Sequence, residues 1–188
     1  EGKVHLSAET IWENQHNDDI FYLSEPIIPK GQFEVGVYVP SYRTDLLAVK
    51  SLKELQQYSA VSQKSWVNDW ALLERLHLKK LHNVSTIPQM FKMVGHGRID
   101  FLLWTFTSNA QLSQKINNIE LYPIPNIKFV IPQSRHYAVS KSSPNAYKVF
   151  HALNAGILRL RAKGLIKDAY QKSGFINAKV EHWQDITP

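Results

Sequence analysis

The chain has 188 residues, 44% of them apolar and 20% charged, with 22 Lys and Arg against 16 Asp and Glu and no cysteine. That length buries a sizeable core in one large or two small domains, and the near-average composition argues against disorder or a fibrous repeat. The lack of cysteine excludes disulfides, thiolate metal ligands and cysteine nucleophiles, and no apolar run approaches the roughly 18 residues that a membrane helix needs.

Charge is unevenly spread. Residues 1–134 carry 13 basic and 13 acidic side chains, whereas 135–188 carry nine against three, so the whole formal charge of +6 sits in the last third. A bias of that kind points to nucleic acid or an anionic surface. The basic residues are spaced along helical stretches without tight clusters or interleaved aromatics, so the reading is a solvated basic helix face with no nucleic-acid partner. The bias still leaves a docking face open there. The chain opens at Glu1 with neither Met nor a leader-type apolar segment, and so reads as a processed or trimmed form.

In chain order, residues 3–7 alternate weakly, as in a short strand. Phe33, Val35, Val37 and Val39 recur at period two and predict a strand over 32–39 that Pro40 stops. Ser51 and Glu54 have capping-box spacing for a short helix through Gln57. Residues 58–62 read as a buried strand, followed by Ser65 as N-cap of a helix carrying Trp66, Trp70, Leu73 and Leu76 at 3–4 spacing. Thr86 and Pro88 start another helix that Gly95 ends. Strands are expected over 98–103, 119–122, 128–131 and 135–139. Ser143 and Pro144 form a further helix-start signature, with Tyr147, Phe150, Leu153, Ile157 and Leu160 as one apolar stripe ending at Gly164, and a last helix runs over 165–172. Strands alternating with helices predict an α/β fold with largely parallel sheets.

Several phrases, taken in order, resemble the amino-acid-type solute-binding proteins of ABC uptake systems, the type II periplasmic binding protein family. They are Phe21-Tyr22-Leu23-Ser24-Glu25-Pro26, the strand over 34–40, Ser51-Leu52-Lys53-Glu54-Leu55, Ala60-Val61-Ser62-Gln63-Lys64-Ser65-Trp66, Gly97-Arg98-Ile99-Asp100 before an apolar run, Tyr137-Ala138-Val139-Ser140-Lys141, and the helix from Gly164 to Gly174. Each phrase is weak alone; the ordered set covers roughly residues 2–183. The resemblance implies a two-lobed type II periplasmic-binding-protein-like α/β fold. Residues 1–40 plus 133–188 would form lobe 1, residues 41–132 lobe 2, and a small molecule would be held in a cleft between lobes that close about a hinge. It also implies a periplasmic or secreted protein without catalysis or cofactor, partnered by its ligand and by a membrane permease or receptor.

Two departures qualify that expectation. Family members usually have a further stretch before the position of Glu1, so lobe 1 is expected to be incomplete, either in a fragment or in a shortened member; its open sheet edges would invite a homodimer. The family's carboxylate-binding Arg, placed before the Ser24 phrase, has no counterpart, since the first Arg here is Arg43. The place of its ammonium-binding Asp holds Trp104 and Thr105. A zwitterion would therefore bury two poorly paired charges, so an ordinary α-amino acid is not the expected ligand.

The residues expected at the ligand are Ser24, Glu25, Ser65, Trp66, Trp104, Thr105 and Arg135. Ser65 and Trp66 would offer a helix N-terminus to an anion, or serve as an ordinary cap and a core Trp. Trp104 would stack on a ring or finish a buried strand. Glu25 would pair with a cation or occupy a turn beside Pro26, and Arg135 would contact an anion or brace the hinge. The eight histidines include no zinc-type pair, so no metal is expected. No G-x-S-x-G, G-x-G-x-x-G or P-loop phrase is present, and nothing nominates an enzyme. The alternative function is a ligand-free sensor or protein-interaction module built on the same fold.

Overall fold

A computed structural model describes Leu6, Ser7 and residues 9–188. Most of the strand expected over 3–7 lies outside the described residues; Leu6 makes one antiparallel bridge, to Val139. The elements in chain order are β1 (Ile11–Trp12), β2 (Phe21–Leu23), β3 (Phe33–Val39), α1 (Thr44–Leu47), α2 (Leu52–Leu55), β4 (Ser59–Ser62), α3 (Val67–Arg75), β5 (Lys80–Asn83) and α4 (Ile87–Gly95). They continue with β6 (Leu102–Thr105), β7 (Gln114–Ile116), β8 (Ile119–Pro123), β9 (Ile127–Ile131), β10 (Arg135–His136), β11 (Ala138–Ser140), α5 (Ala146–Ala162), α6 (Leu165–Ser173) and β12 (Gln184–Asp185). The chain divides into two compact units, the first made of Glu1–Phe33 with Pro132–Tyr170 and the second of Glu34–Ile131 with Gln171–Pro188.

The second unit is built around β3. Its period-two valines give a strand in which Val35, Gly36, Val37, Tyr38 and Val39 are all buried. The strand pairs antiparallel with β6, placing Gly36 opposite Trp104, and antiparallel with β8 at Tyr38 and Val39. The sheet order is β12-β9-β3-β8-β7, with β6 also on β3. Parallel pairing occurs in β4–β5, where α3 makes the crossover that parallel strands require, and in β9–β12. The sheets are therefore mixed, not largely parallel as the helix–strand alternation suggested. The partners of β3 arrive from about 60 residues or more downstream, and local pattern carries no information on their direction.

Caps explain most helix boundaries. Ser51 accepts from the Glu54 amide, and the Glu54 carboxylate accepts in turn from the Lys50 amide. Thr86 accepts from the Gln89 amide with Pro88 in the first turn, and the Cβ-free Gly95 lets α4 lie on β8, since a Cβ there would sit 2.4 Å from Ile119. Two expected caps are corrected. The helix expected to start from Ser65 has Trp66 in the N-cap position, with no side-chain capping bond. The helix expected from Ser143 and Pro144 starts at Ala146, with Asn145 in the left-handed region at φ 60° ahead of it. The strand expected over 98–103 is displaced to Leu102–Thr105, because Asp100 turns its carboxylate onto the Ser59 amide and hydroxyl.

The C-terminal residues of the second unit are clamped to β9. Lys128, 6% exposed, donates to Glu34 at 2.6 Å and to the Val180 carbonyl at 2.9 Å, while Thr187 accepts from the Val130 amide. Gly174, at φ 82°, lies so close to Thr107 and Ser108 that a Cβ would fall 2.0 Å from the Ser108 nitrogen. The expected lobe 1 grouped residues 1–40 with 133–188; in the structure the strand from Glu34 and the tail from Gln171 lie with the second unit.

The first unit has two-stranded antiparallel ladders, β1–β10 and β2–β11, with α5 packed on β11. The residues expected as one strand over 135–139 are split into β10 and β11 at Tyr137. Of the five stripe residues on α5, only Ile157 is buried, while Tyr147 is 63% and Leu160 44% exposed.

Candidate functional site

The seven candidate residues fall into two sets, one in each unit. In the second unit, the turn after β4 is closed by the Trp66 amide donating to the Gln63 carbonyl at 3.0 Å and the Lys64 amide donating to Asn83 Oδ1 at 2.9 Å. This turn leaves Ser65 exposed and Trp66 packed against the core cluster that includes Val61 and Met90. Trp66 and Trp104 stand 5.6 Å apart, inclined at 54°, and Trp104 meets the fully buried Phe91 edge-on at 5.3 Å. Both indoles are half-buried against the core formed by Tyr38, Met90, Phe91 and Leu102, so each keeps part of its surface outside that core.

Thr105 ends β6 opposite Val35, and its carbonyl accepts from Gln114 Nε2 at 2.8 Å and from the Tyr38 hydroxyl at 3.2 Å. Burial pushes the Tyr38 phenol far above its ordinary pKa, which keeps this anchor a donor. The strand end that presents Trp104 is thus held from both sides by groups that do not titrate in the physiological range.

The nearest Arg in sequence to the resemblance's clamp position, Arg43, is committed elsewhere. Its guanidinium binds Asp45 through two bonds, at 2.9 and 2.8 Å, and Asp100 at 2.8 Å. Burial raises the Asp100 pKa, but bonds from Ser59 and then Arg43 outweigh it, and the net direction is downward; the bond to Arg43 likewise lowers Asp45. Asp100 is thereby a structural carboxylate tying the α1 region to β4.

In the first unit, Ser24 is buried and fully used: its amide donates to the Tyr137 carbonyl, its hydroxyl to the Glu25 carbonyl at 2.7 Å, and it accepts from the Tyr137 amide at 3.0 Å. The Glu25 amide donates to Asn154 Oδ1 at 2.8 Å, and its carboxylate lies 3.7 Å from Arg161. Arg135 donates to the Thr10 hydroxyl at 2.7 Å and to its carbonyl, with the guanidinium stacked 4.5 Å above Trp12. Within each unit the candidates come together as Trp66 with Trp104 and Thr105, and as Ser24 with Glu25.

Sequence reasoning missed a polar chain that runs from the surface into the first unit. Lys30 binds Glu13 at 2.8 Å, Glu13 accepts from the Ser134 hydroxyl at 3.0 Å, Ser134 meets His136 Nε2 at 2.8 Å, and His136 Nδ1 donates to the Ser24 carbonyl at 2.7 Å. Lys30 and then Ser134 lower the Glu13 pKa. A Ser, a His and an acid in one chain invite a hydrolase reading. Here, however, the hydroxyl lies between acid and imidazole, the imidazole's other nitrogen meets a backbone carbonyl instead of the acid, and Ser134 is 3% exposed, which is the arrangement of a clasp for β10 and not of an acid–His–Ser relay. No sequence signal marks this chain, whose members are up to 123 residues apart. Lys128 had one: a lone Lys inside the apolar run Ile127–Ile131. Among the described residues no group of three or more His, Asp or Glu is placed to hold a metal ion. No helix among them is long and apolar enough to cross a membrane.

No protein-family model and no curated protein matches the chain. Solved structures do. The extracellular-binding protein ytmK from Bacillus subtilis superposes with a TM-score of 0.64 at 12% identity, over 91% of this chain and 71% of its own. Substrate-binding domain 2 of GlnP from Lactococcus lactis gives 0.54 at 17% identity, over 92% and 70%. An ancestral amino acid-binding protein, a precursor of cyclohexadienyl dehydratase, gives 0.57 at 17%, over 92% and 69%. YCKB of Bacillus subtilis is matched over only 65% of its length, so this chain spans about two thirds of such proteins. The expected fold class holds: the chain carries the two-lobed α/β fold of the type II periplasmic binding proteins, as found in the substrate-binding domains of amino-acid ABC transporters.

Proposed function

We propose that the chain is the body of a non-catalytic, extracytoplasmic solute-binding protein that delivers a small molecule to a membrane permease or receptor, and that this molecule is not an ordinary α-amino acid. The fold supports the first half, since neighbours of this shape are substrate-binding domains by name. One neighbour is a precursor of a dehydratase, so the fold alone does not decide against catalysis. What supports the non-catalytic reading is that the Glu13–Ser134–His136 grouping has its hydroxyl between acid and imidazole, as a clasp.

The observation that carries the second half is the Trp66–Trp104 pair backed by Phe91. Indole faces recognise rings, alkyl groups and soft cations, and they give a carboxylate or a compact ammonium little in exchange for lost water. Arg43, already paired with the two carboxylates of Asp45 and Asp100, is engaged away from any carboxylate clamp. We assign ligand contact in the second unit to Trp66, Trp104, Ser65 and Thr105. The side chains of Ser24 and Arg135 serve the first unit's own framework, and Glu25 remains the acidic candidate there.

The test is a thermal-shift screen of amino acids, organic acids, amines and small peptides, followed by calorimetry. A solute lacking the α-amino-carboxylate pair should raise the melting temperature saturably; a ligand at 100 times its Kd stabilises by about 2.7 kcal/mol. Tight binding of a free α-amino acid, or silence across the panel, would overturn the reading.

A further inference from the structure

The exposed face of α5 has a chemistry that helix stability does not explain. Tyr147 and Leu158, 63% and 49% exposed, are 11 residues apart, which is three turns and puts them on one line of the helix about 16 Å long. About 100° further round the helix, Lys148 and Arg159 repeat that 11-residue spacing, with Lys163 one turn beyond Arg159, and all three are exposed. No acidic residue occurs between Glu120 and Asp168, so nothing on α5 neutralises it. Arg159 and Lys163 complement the C-terminal end of the helix dipole, but Lys148 sits in the first turn, where a cation opposes the dipole and no acid compensates. An exposed Tyr and Leu parallel to an unneutralised basic row are the two halves of a recognition face.

We infer that this face of α5 docks an acidic amphipathic helix of a partner protein, its leucine-type side chains meeting Tyr147 and Leu158 and its carboxylates meeting Lys148, Arg159 and Lys163. Charge complementarity selects the partner's sign. A second copy of the chain would bring the same cationic row against itself, and the whole chain already carries +6. The pattern selects a helix over a lipid surface: between Tyr147 and Leu158 the apolar line is broken by exposed His151, whose ring packs edge-on against Tyr147 at 4.1 Å, and by exposed Ala155, whereas an interfacial anchor needs a continuous apolar ridge.

The probe is a fluorescein-labelled synthetic helix with Leu on one face and Glu along its flanks, titrated into the whole chain by anisotropy. A Lys-for-Glu version and vesicles containing phosphatidylglycerol serve as the other arms. The Glu helix should bind saturably, and the double variant Arg159→Glu, Lys163→Glu should weaken it about tenfold or more while gaining affinity for the Lys helix. Leu158→Ser should weaken both, with melting temperatures unchanged because these side chains are exposed. Equal binding of the two helices, no binding of either, or binding to vesicles alone would each overturn the inference.

Discussion

The two units solve the same problem with different means. Of the 34 buried apolar residues described, only six (Trp12, Ile28, Ala138, Val139, Ala146 and Ile157) belong to the first unit; the rest build the second. The second unit is held by area: a strand buried along its last five positions, Phe91 of α4 and Leu102 of β6 in one core cluster, and a tail locked by Lys128. The first is held by directional bonds, namely the Lys30–Glu13–Ser134–His136 chain, the Arg135 stack on Trp12, and two-stranded ladders that alone are marginal in water. Apolar area tolerates small shifts and confers most of the stability, whereas a polar clasp fixes geometry at little net gain. The aromatic pair proposed to meet the ligand stands on the well-packed side, and the face proposed to meet a protein stands on the thin one.

Substitutions can break that contrast or sharpen it. The largest effect should come from Phe91→Ala, which removes a fully buried ring beneath Trp104 and should cost about 3–5 kcal/mol in denaturant unfolding. Close behind, Gly174→Ala forces a Cβ into the Ser108 backbone at a positive φ; a loss of about 3 kcal/mol and early proteolysis of the tail are expected. Lys128→Met leaves the Val180 carbonyl and Glu34 without their donor and should cost about 2 kcal/mol, measurable as a lower urea midpoint at unchanged slope.

A smaller effect is set by pH. The Asp100 pKa is lowered in the fold, so its contribution is complete above its ordinary value of 3.8 and is lost as pH falls through that value toward the lower folded one. Because Arg43 and Asp100 are partly exposed, the term is about 1 kcal/mol or less, and Asp100→Asn should flatten the acid limb of the stability curve by that amount. The smallest effect belongs to the thin unit's surface: Tyr147→Ser should change stability by less than about 0.5 kcal/mol. A larger loss would show that this face is already part of a core.

Features written in neighbouring residues were legible: the valine alternation of β3, and Thr86 with Pro88 at the start of α4. The ordered phrases were enough to name the fold. Ser65 and Ser143 misled because a hydroxyl before a helix caps it only if the backbone enters at that residue, and here Trp66 and Asn145 take that place. The antiparallel partners of β3 and the Ser134–His136 clasp were hidden for a different reason, since they join segments 60 to 120 residues apart and leave no local trace. At the candidate site, the departure at Trp104 and Thr105 was readable, but the contact of Trp104 with Trp66 and Phe91 was not, because it depends on how β6 pairs with β3.

The central claim is that the indole pair, not an ionic clamp, grips the solute. Isothermal calorimetry of the best thermal-shift ligand against the native chain and Trp104→Leu, with melting temperatures as a folding control, tests it most directly. The account predicts a solute without the α-amino-carboxylate pair whose binding weakens at least about tenfold in the folded variant. A free α-amino acid bound equally well by both proteins would contradict it.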